Sequence, residues 1–187
     1  SIAEHHSNIV PWHFLRKKIG VKLLWIEPRE DGSIHADDVI NSIGANTKLI
    51  AITHMSNVLG CVVDVKKICT VARNKKIVTL IDGSQSVVHI PIDVTDLCCD
   101  FFVFTGHKLY GPSASGAIYI NQNRFDEMEP FQGGGSMINF VSKEHITYNK
   151  APHKFEAGTP AIIPIIGLGA AIDFVSSIGQ DNIMEYE

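Results

Sequence analysis

The sequence is poor in three features, each of which would indicate a class of protein: excess basic charge, long apolar runs and regularly spaced cysteines. Sixteen Lys and Arg residues against 20 Asp and Glu give a formal charge of −4, which argues against nucleic-acid binding through phosphate neutralisation. No apolar run approaches the roughly 20 residues that cross a bilayer, and residues 1–12 lack the basic and apolar regions of a signal peptide. We therefore expect neither nucleic acid nor a membrane among the partners.

Only four cysteines occur in the 187 residues, and none of them forms a CxxC pair. Adjacent Cys98 and Cys99 have poor geometry for a mutual disulfide, and no ligand spacing indicates zinc, so we expect reduced thiols, a cytoplasmic location and no metal site. Cys69 falls on the apolar face of a predicted helix, and Cys98 and Cys99 enter a predicted strand, so we predict that these three pack in the core. Cys61 follows a turn glycine, and its setting is left open.

The chain has enough apolar sequence for one domain with a real core, since 45% of its residues are hydrophobic and 19% are charged. Short apolar runs alternate with segments of helical periodicity at the spacing of βαβ units. This pattern predicts an α/β fold with a mostly parallel sheet flanked by helices. The predicted strands are 21–28, 48–57, 77–86, 101–108 and 116–120, and the predicted helices are 35–44, 64–76 and a helix that begins near residue 160.

Polar residues follow three of the predicted strands at the point where each strand ends. These clusters are Thr53–Asn57, Asp82–Gln85 and Thr105–Lys108. Because ligands of open parallel sheets bind at the carboxyl ends of the strands, the three clusters predict a binding site at one sheet edge. Lys108 is unusual there, because a lysine beside an apolar strand needs a partner or a depressed pKa.

The residue types in these clusters match the needs of a pyridoxal phosphate (PLP) site. Lys108 can form a Schiff base with an aldehyde cofactor, and Asp82 on a preceding strand can keep a pyridinium nitrogen protonated. Thr105 and His107 can donate hydrogen bonds to a phosphate, and Gln85 can donate to a phenolate oxygen.

A ring that stacks on the cofactor could come from the histidine pair near the start of the sequence, His5 or His6. Each feature alone has an ordinary explanation, since a strand-end lysine is usually solvated, an Asp-Gly pair is a common turn and a histidine pair fits an exposed loop. The order of Asp82 and Lys108 on successive strands is what favours the PLP hypothesis.

Seven ordered motifs carry a resemblance that spans essentially the whole chain: EHHSNIVPW, THMSNVLG, IDGSQSVVHIPIDV, CDFFVFTGHKLYGPSASGAIY, FQGGGSMI, FEAGTP and IIGLGAAIDFV. The chain resembles the class V aminotransferase group of fold-type I PLP enzymes, and within it the SufS-type (group II) cysteine desulfurases. The resemblance implies that Lys108 forms the Schiff base, Asp82 pairs with the pyridinium and Gln85 contacts the cofactor O3′. It further implies that Thr105 and His107 bind the phosphate.

The resemblance also assigns roles to residues outside the strand ends. His5 matches the histidine that stacks on the cofactor ring, and Asn57 matches a residue that holds the substrate carboxylate. Thr159 matches a residue that reaches the phosphate bound by the other subunit, which implies a homodimer. Residues 133–138, GGGSMI, resemble a hairpin near the dimer interface and also fit a flexible glycine loop.

Two departures lie near the expected dimer contact. His153 and Lys154 stand where these enzymes commonly carry an aromatic residue and an arginine, and Ala161 replaces a frequent asparagine. The contacts between subunits are therefore expected to differ more than the Lys108 and Asp82 pair.

The resemblance implies that residues 1–187 are an incomplete PLP-binding large domain without the small C-terminal domain, since the catalytic cysteine and the substrate-binding arginine of these enzymes match nothing here. The implied reaction converts L-cysteine to L-alanine and a persulfide that supplies iron–sulfur cluster assembly through a sulfur acceptor of the SufE or SufU type. The alternatives are a selenocysteine lyase acting on L-selenocysteine, another class V enzyme such as a kynureninase-like hydrolase, and a non-catalytic truncated remnant.

Overall fold

A four-stranded sheet forms the centre of the computed structural model, which describes all 187 residues. Its strands, in spatial order, are β1 (Leu49–Thr53), β2 (Val78–Asp82), β3 (Phe101–Thr105) and β4 (Gly116–Ile120). β1, β2 and β3 are parallel, and β4 is antiparallel to β3. The predicted α/β fold with a mostly parallel sheet is therefore confirmed.

Helices and a small hairpin surround this sheet. The helices are α1 (Val10–Ile19), α2 (Ala36–Asn41), α3 (Val65–Asn74), α4 (Ser86–His89), α5 (Val94–Leu97), α6 (Ile162–Ile178) and α7 (Gln180–Tyr186). Short 3-10 helices cover His6–Asn8, Gly106–Leu109, Gln122–Glu127 and His153–Phe155, and the hairpin pairs β5 (Ile138–Val141) with β6 (Ile146–Tyr148).

The main core lies between the sheet and α3. This helix begins at Asp64, whose carboxylate accepts a hydrogen bond from the Lys67 amide at 3.0 Å, a cap typically worth about 1 kcal/mol. Its apolar stripe is buried against Ile52 of β1 and Ile81 of β2. Ile68 is fully buried, as the helical periodicity of this segment predicts.

A second, smaller core seats the turn that follows β3. Val88 of α4, Leu109 of the 3-10 helix Gly106–Leu109, and Leu168 and Val175 of α6 form one buried cluster. The chain from Gly106 to Leu109 is thus clamped between two helices, which fixes the position of the residues that it carries.

The strand predicted at 21–28 is wrong, because this segment pairs with no strand. The Ile26 carbonyl instead accepts a hydrogen bond from the Ile2 amide at 3.1 Å. Helix α1 was not predicted, although Pro11 in its first turn and Gly20 in the left-handed conformation just after it are standard helix boundary signals.

Helix α6 leaves a large apolar surface uncovered in this chain. Ile163, Ile166 and Phe174 are 83%, 70% and 58% exposed, respectively. No single helix is long and apolar enough to cross a bilayer, and α6 and α7, which together have that length and composition, are bent by 68° where they meet.

Candidate active site

Asp82 ends β2 as a buried carboxylate with spare hydrogen-bonding capacity. The residue is 8% exposed, and its side chain accepts one hydrogen bond, from the Ser84 amide to Oδ1 at 2.9 Å. A buried carboxylate is stable only with cationic or hydrogen-bonding partners. The second oxygen, Oδ2, makes no hydrogen bond in the chain and is not sealed from solvent, so a protonated group of a ligand can reach it.

Backbone pairing and one glycine fix the place of Asp82. In the sheet register Asp82 lies between Thr53 of β1 and Val103 of β3, so the three strand ends meet as the sequence predicted. The next residue, Gly83, packs so closely on Phe102 that an added Cβ would lie 1.9 Å from the ring Cζ. Only glycine fits there without moving the ring.

The turn after β3 carries three of the predicted residues. Thr105 Oγ1 and His107 Nδ1 are 2.8 Å apart, so the two side chains are joined by a hydrogen bond. Lys108 is half-buried, and its amine makes no hydrogen bond or ion pair within the chain. Gly106 packs on Ser115 so tightly that an added Cβ would lie 2.0 Å from the Ser115 hydroxyl oxygen, which rigidifies the turn.

His5 lies next to the end of β1. The hydroxyl of Ser56, three residues after the end of β1, donates to the Ala3 carbonyl at 2.8 Å and ties the N-terminal segment to the sheet edge. The His5 ring is exposed, and its Nδ1 accepts a hydrogen bond from the Ser7 amide. His6 is also exposed, with its ring centroid 6.1 Å from that of His5.

The remaining predicted residues make no side-chain hydrogen bonds in the chain. Gln85 is half-buried immediately before α4, at the edge that carries Asp82. Asn57 is exposed in the turn after β1. Thr159 is exposed in the loop before α6, and no hydrogen bond joins it to the residues at the strand ends. The roles assigned to these three residues stay predictions.

His54 is a residue of this region for which no role was predicted. It directly follows β1 and is 7% exposed, and its Nδ1 is a buried nitrogen without a hydrogen-bond partner. Burial lowers the pKa of His54 below the ordinary 6.5, which favours the neutral ring. The sequence signal that could have indicated a buried histidine here is its position directly after the apolar run KLIAIT.

The cysteines differ in their surroundings more than predicted. Cys69 and Cys99 are buried as expected, and burial raises the pKa of their thiols to about 12 and about 11. Cys98 contacts the core but remains half-buried at the left-handed end of α5, so the prediction of core packing holds only in part. Cys61 is also half-buried.

No group of three or more His, Cys, Asp or Glu side chains is placed to hold a metal ion.

Comparisons with known proteins match the chain to one family over its whole length. The family model described as aminotransferase class-V matches residues 1–187. A cysteine desulfurase from Escherichia coli (strain K12 / DH10B) is 48% identical over 185 residues, which are 98% of this chain and 46% of that protein. The chain thus spans about half the length of the curated relatives it matches.

Solved structures of related enzymes share the fold. The cysteine desulfurase CsdA (S-sulfonic acid) from Escherichia coli superposes with a TM-score of 0.91 at 36% identity, covering 97% of this chain and 45% of that one. A variant of C-DES with glycine covalently linked to its PLP cofactor has a TM-score of 0.84 at 25% identity, covering 98% of this chain and 50% of that one. The match along all 187 residues shows that this chain belongs to the aminotransferase class-V family.

Proposed function

We propose that this chain is the PLP-binding large domain of a cysteine desulfurase, which converts L-cysteine to L-alanine and leaves the sulfur as a persulfide. The observation that carries the proposal is the buried Asp82 carboxylate with one free oxygen, beside the rigid turn that bears Lys108. The 48% identity to a protein named cysteine desulfurase supports this choice among class V activities.

The polar groups of the site fit PLP. Oδ2 of Asp82 offers the anionic partner that a protonated pyridine nitrogen needs, and the half-buried Lys108 offers a primary amine for the aldehyde. Thr105 and His107 are close enough to bind one phosphate group together. When bound, PLP supplies an electron sink for bonds at the substrate's α-carbon.

The residues of the chain then have separate tasks. Lys108 holds the cofactor and, once its amine is free, carries protons at its Nζ atom. Asp82 keeps the ring nitrogen protonated, while His5 covers the ring face and Gln85 donates to O3′. Asn57 orients the substrate carboxylate. In the overall reaction the sulfur leaves the cysteine Cβ and joins a protein thiolate, and Cβ gains a proton.

We further propose a homodimer. The uncovered apolar face of α6 and the exposed Thr159 before it support this proposal, because a partner subunit that covers α6 would bring Thr159 close to the partner's phosphate. The backbone hydrogen bond from Gly158 to Gly135, at 2.9 Å, joins the Thr159 loop to the glycine segment before the β5–β6 hairpin, so both belong to the proposed interface.

The finer assignment is a SufS-type enzyme of the cytoplasm that passes sulfur to an acceptor of the SufE or SufU type for iron–sulfur cluster assembly. The motifs FQGGGSMI and FEAGTP support the SufS type, and the four free thiols support a reducing compartment. Sulfur transfer to purified acceptors of both types tests this assignment.

Borohydride reduction of the PLP-loaded protein followed by peptide mapping tests the central proposal. We expect the cofactor label on Lys108 and no label in a Lys108→Ala variant. A label on Lys17, Lys66 or Lys154 instead would show that the site lies elsewhere.

Replacement of Asp82 tests the electron sink separately from cofactor binding. In the whole enzyme, Asp82→Ala removes the charge that keeps the ring nitrogen protonated, so we expect turnover to fall by orders of magnitude while some PLP still binds. Asp96→Ala, at an exposed carboxylate on α5, is the control. Wild-type turnover in Asp82→Ala would assign the ring nitrogen's partner to another residue.

A further inference from the structure

The His5 ring is hydrogen-bonded through one of its two nitrogens to the residue two positions later. The Ser7 amide donates to His5 Nδ1 at 3.2 Å, and the Ser7 hydroxyl lies 3.0 Å from the same nitrogen. The Ser7 amide has no other acceptor. His5 Nε2, by contrast, makes no hydrogen bond within the chain and lies on an exposed ring.

This geometry determines which nitrogen carries the proton. A backbone amide can only donate, so Nδ1 must present its lone pair to Ser7 and the proton of the neutral ring must be on Nε2. The alternative tautomer would place two N–H groups against each other and lose the hydrogen bond from the Ser7 amide, although the Ser7 hydroxyl could then accept. The Ser7 hydroxyl can add a second hydrogen bond to the same lone pair.

A buried network holds the turn that makes these contacts. The Glu4 carboxylate is 4% exposed and accepts from the Asn8 side-chain amide at 2.8 Å and from the Ser1 hydroxyl at 2.6 Å. The Trp12 indole then donates to the Asn8 carbonyl oxygen at 3.1 Å, which connects the turn to α1. His5 therefore projects from a fixed backbone, and its orientation depends on contacts within the turn.

We infer that the backbone amide of Ser7 holds His5 as the Nε2–H tautomer, so that the site receives a hydrogen-bond donor from this ring and not an acceptor. The role of this tautomer in catalysis rests on the proposed function, in which His5 covers the cofactor. The assignment of the tautomer does not depend on that function, because it follows from the contact with Ser7. A ring fixed in this way donates from Nε2 to an oxygen or sulfur atom of a substrate.

Nitrogen NMR of protein labelled with ¹⁵N-histidine tests this inference, because a ring nitrogen that bears a proton differs strongly in chemical shift from one with a lone pair. Spectra are recorded at about pH 8.5, where imidazole is neutral. The His5→Gln variant assigns the His5 signals. We expect a lone-pair signal for Nδ1 and a protonated signal for Nε2.

The Ser7 variants provide the decisive comparison. Ser7→Pro removes the amide hydrogen and should shift the tautomer ratio toward Nδ1–H by about two- to ten-fold, whereas Ser7→Ala keeps that amide and should keep the lone-pair signal of Nδ1. Ser113→Ala, which changes an exposed serine elsewhere, should leave the His5 signals unchanged. A protonated Nδ1 in the wild type, or an identical ratio in the wild type and Ser7→Pro, would overturn the inference.

A second readout separates this inference from the proposed function. Bound PLP absorbs visible light, and circular dichroism of that band reports the asymmetry of its surroundings. If His5→Gln leaves the dichroism unchanged, His5 does not cover the cofactor and that part of the proposed function fails, whereas the NMR result still decides the tautomer.

Discussion

The contact between Gly83 and Phe102 gives the sharpest quantitative prediction about the site. Gly83 links Asp82 to the turn before α4, and its amide donates to the Val103 carbonyl of β3 at 2.8 Å. Substitution of Gly83 by alanine adds a single methyl group directly against the Phe102 ring. The question is whether the ring can move away.

The distances indicate that it cannot move without cost. The new Cβ would lie 1.9, 2.4 and 2.7 Å from three ring atoms of Phe102, whereas ordinary contacts begin at 3.4 Å. The ring would have to shift by about 1.5 Å, since 3.4 − 1.9 = 1.5, yet Phe102 is 3% exposed within the main core. Overpacking of this kind costs about 1–3 kcal/mol, and the lower entropy of unfolded alanine returns about 0.4–1 kcal/mol. We expect a net loss of about 1–2 kcal/mol in the free energy of unfolding.

Urea unfolding followed by tryptophan fluorescence measures this loss. Gly44→Ala is the matched control, because a Cβ at Gly44 meets nothing within 4 Å and its backbone angle suits alanine. Phe102→Leu removes the three ring atoms that the new methyl would meet. In that background, Gly83→Ala should be close to neutral, which gives a coupling energy of about 1–2 kcal/mol in the double-mutant cycle.

Two results would refute this reasoning. Equal losses in Gly83→Ala and Gly44→Ala would mean that the ring moves freely. Equal losses from Gly83→Ala with and without Phe102→Leu would mean that the methyl group meets something other than this ring. A weaker binding of PLP by Gly83→Ala, beyond its loss of stability, would in addition show that the contact positions Asp82.

The other predictions concern the buried titratable groups and the thiols. Iodoacetamide at about pH 8 should label Cys61 and Cys98 in the native protein but Cys69 and Cys99 only after unfolding, because burial raises the pKa of the latter two thiols to about 12 and about 11; equal labelling of all four would contradict this. The buried, neutral His54 binds fewer protons folded than unfolded, so its contribution to the free energy of unfolding is present above its unfolded pKa of 6.5 and is lost as pH falls below it. Urea titrations should therefore show a smaller loss between about pH 6.5 and 5 in His54→Gln than in the wild type, and equal slopes would argue against this origin. The 187 residues alone should release no sulfide from L-cysteine, and release that disappears when one of the four cysteines is replaced would make that cysteine the nucleophile.

The adjacency of the polar strand ends could be predicted from the sequence because it depends on strand order alone. Carboxyl ends of adjacent parallel strands meet at one edge, so the polar residues after β1, β2 and β3 had to lie near one another. The register confirms this, since Thr53, Asp82 and Val103 are side by side. Residue chemistry suggested the PLP roles of Lys108 and Asp82, and the roles of Asn57 and Thr159 came from the resemblance alone.

The errors have physical causes that differ from element to element. Residues 21–28 have a strand-like composition, but a strand requires a neighbour to pair with, and the local pattern does not contain that information. The antiparallel direction of β4 could have been predicted from the length of the connection that precedes it. A parallel crossover needs a dozen or more residues, and only residues 106–115 separate β4 from β3. Helix α1 was not predicted from the sequence. In the structure it buries none of its residues, and Phe14 and Ile19 are exposed, so it lacks the core-facing stripe on which helix prediction relies.

The contrast between two aspartates explains why the structure adds weight to the predicted site. Asp100, just before β3, accepts hydrogen bonds from the Thr79 amide, the Thr79 hydroxyl and the Arg124 guanidinium, at 2.8, 3.2 and 2.8 Å. Its hydrogen-bonding capacity is used by the fold itself. Asp82, at the opposite end of the neighbouring strand, is more deeply buried and accepts one such bond. Oδ2 of Asp82 makes no hydrogen bond in the chain and is not sealed from solvent, so this oxygen can accept from a bound group. Asp82 thus keeps open the acceptor that a ligand would use, whereas the oxygens of Asp100 are occupied by the fold.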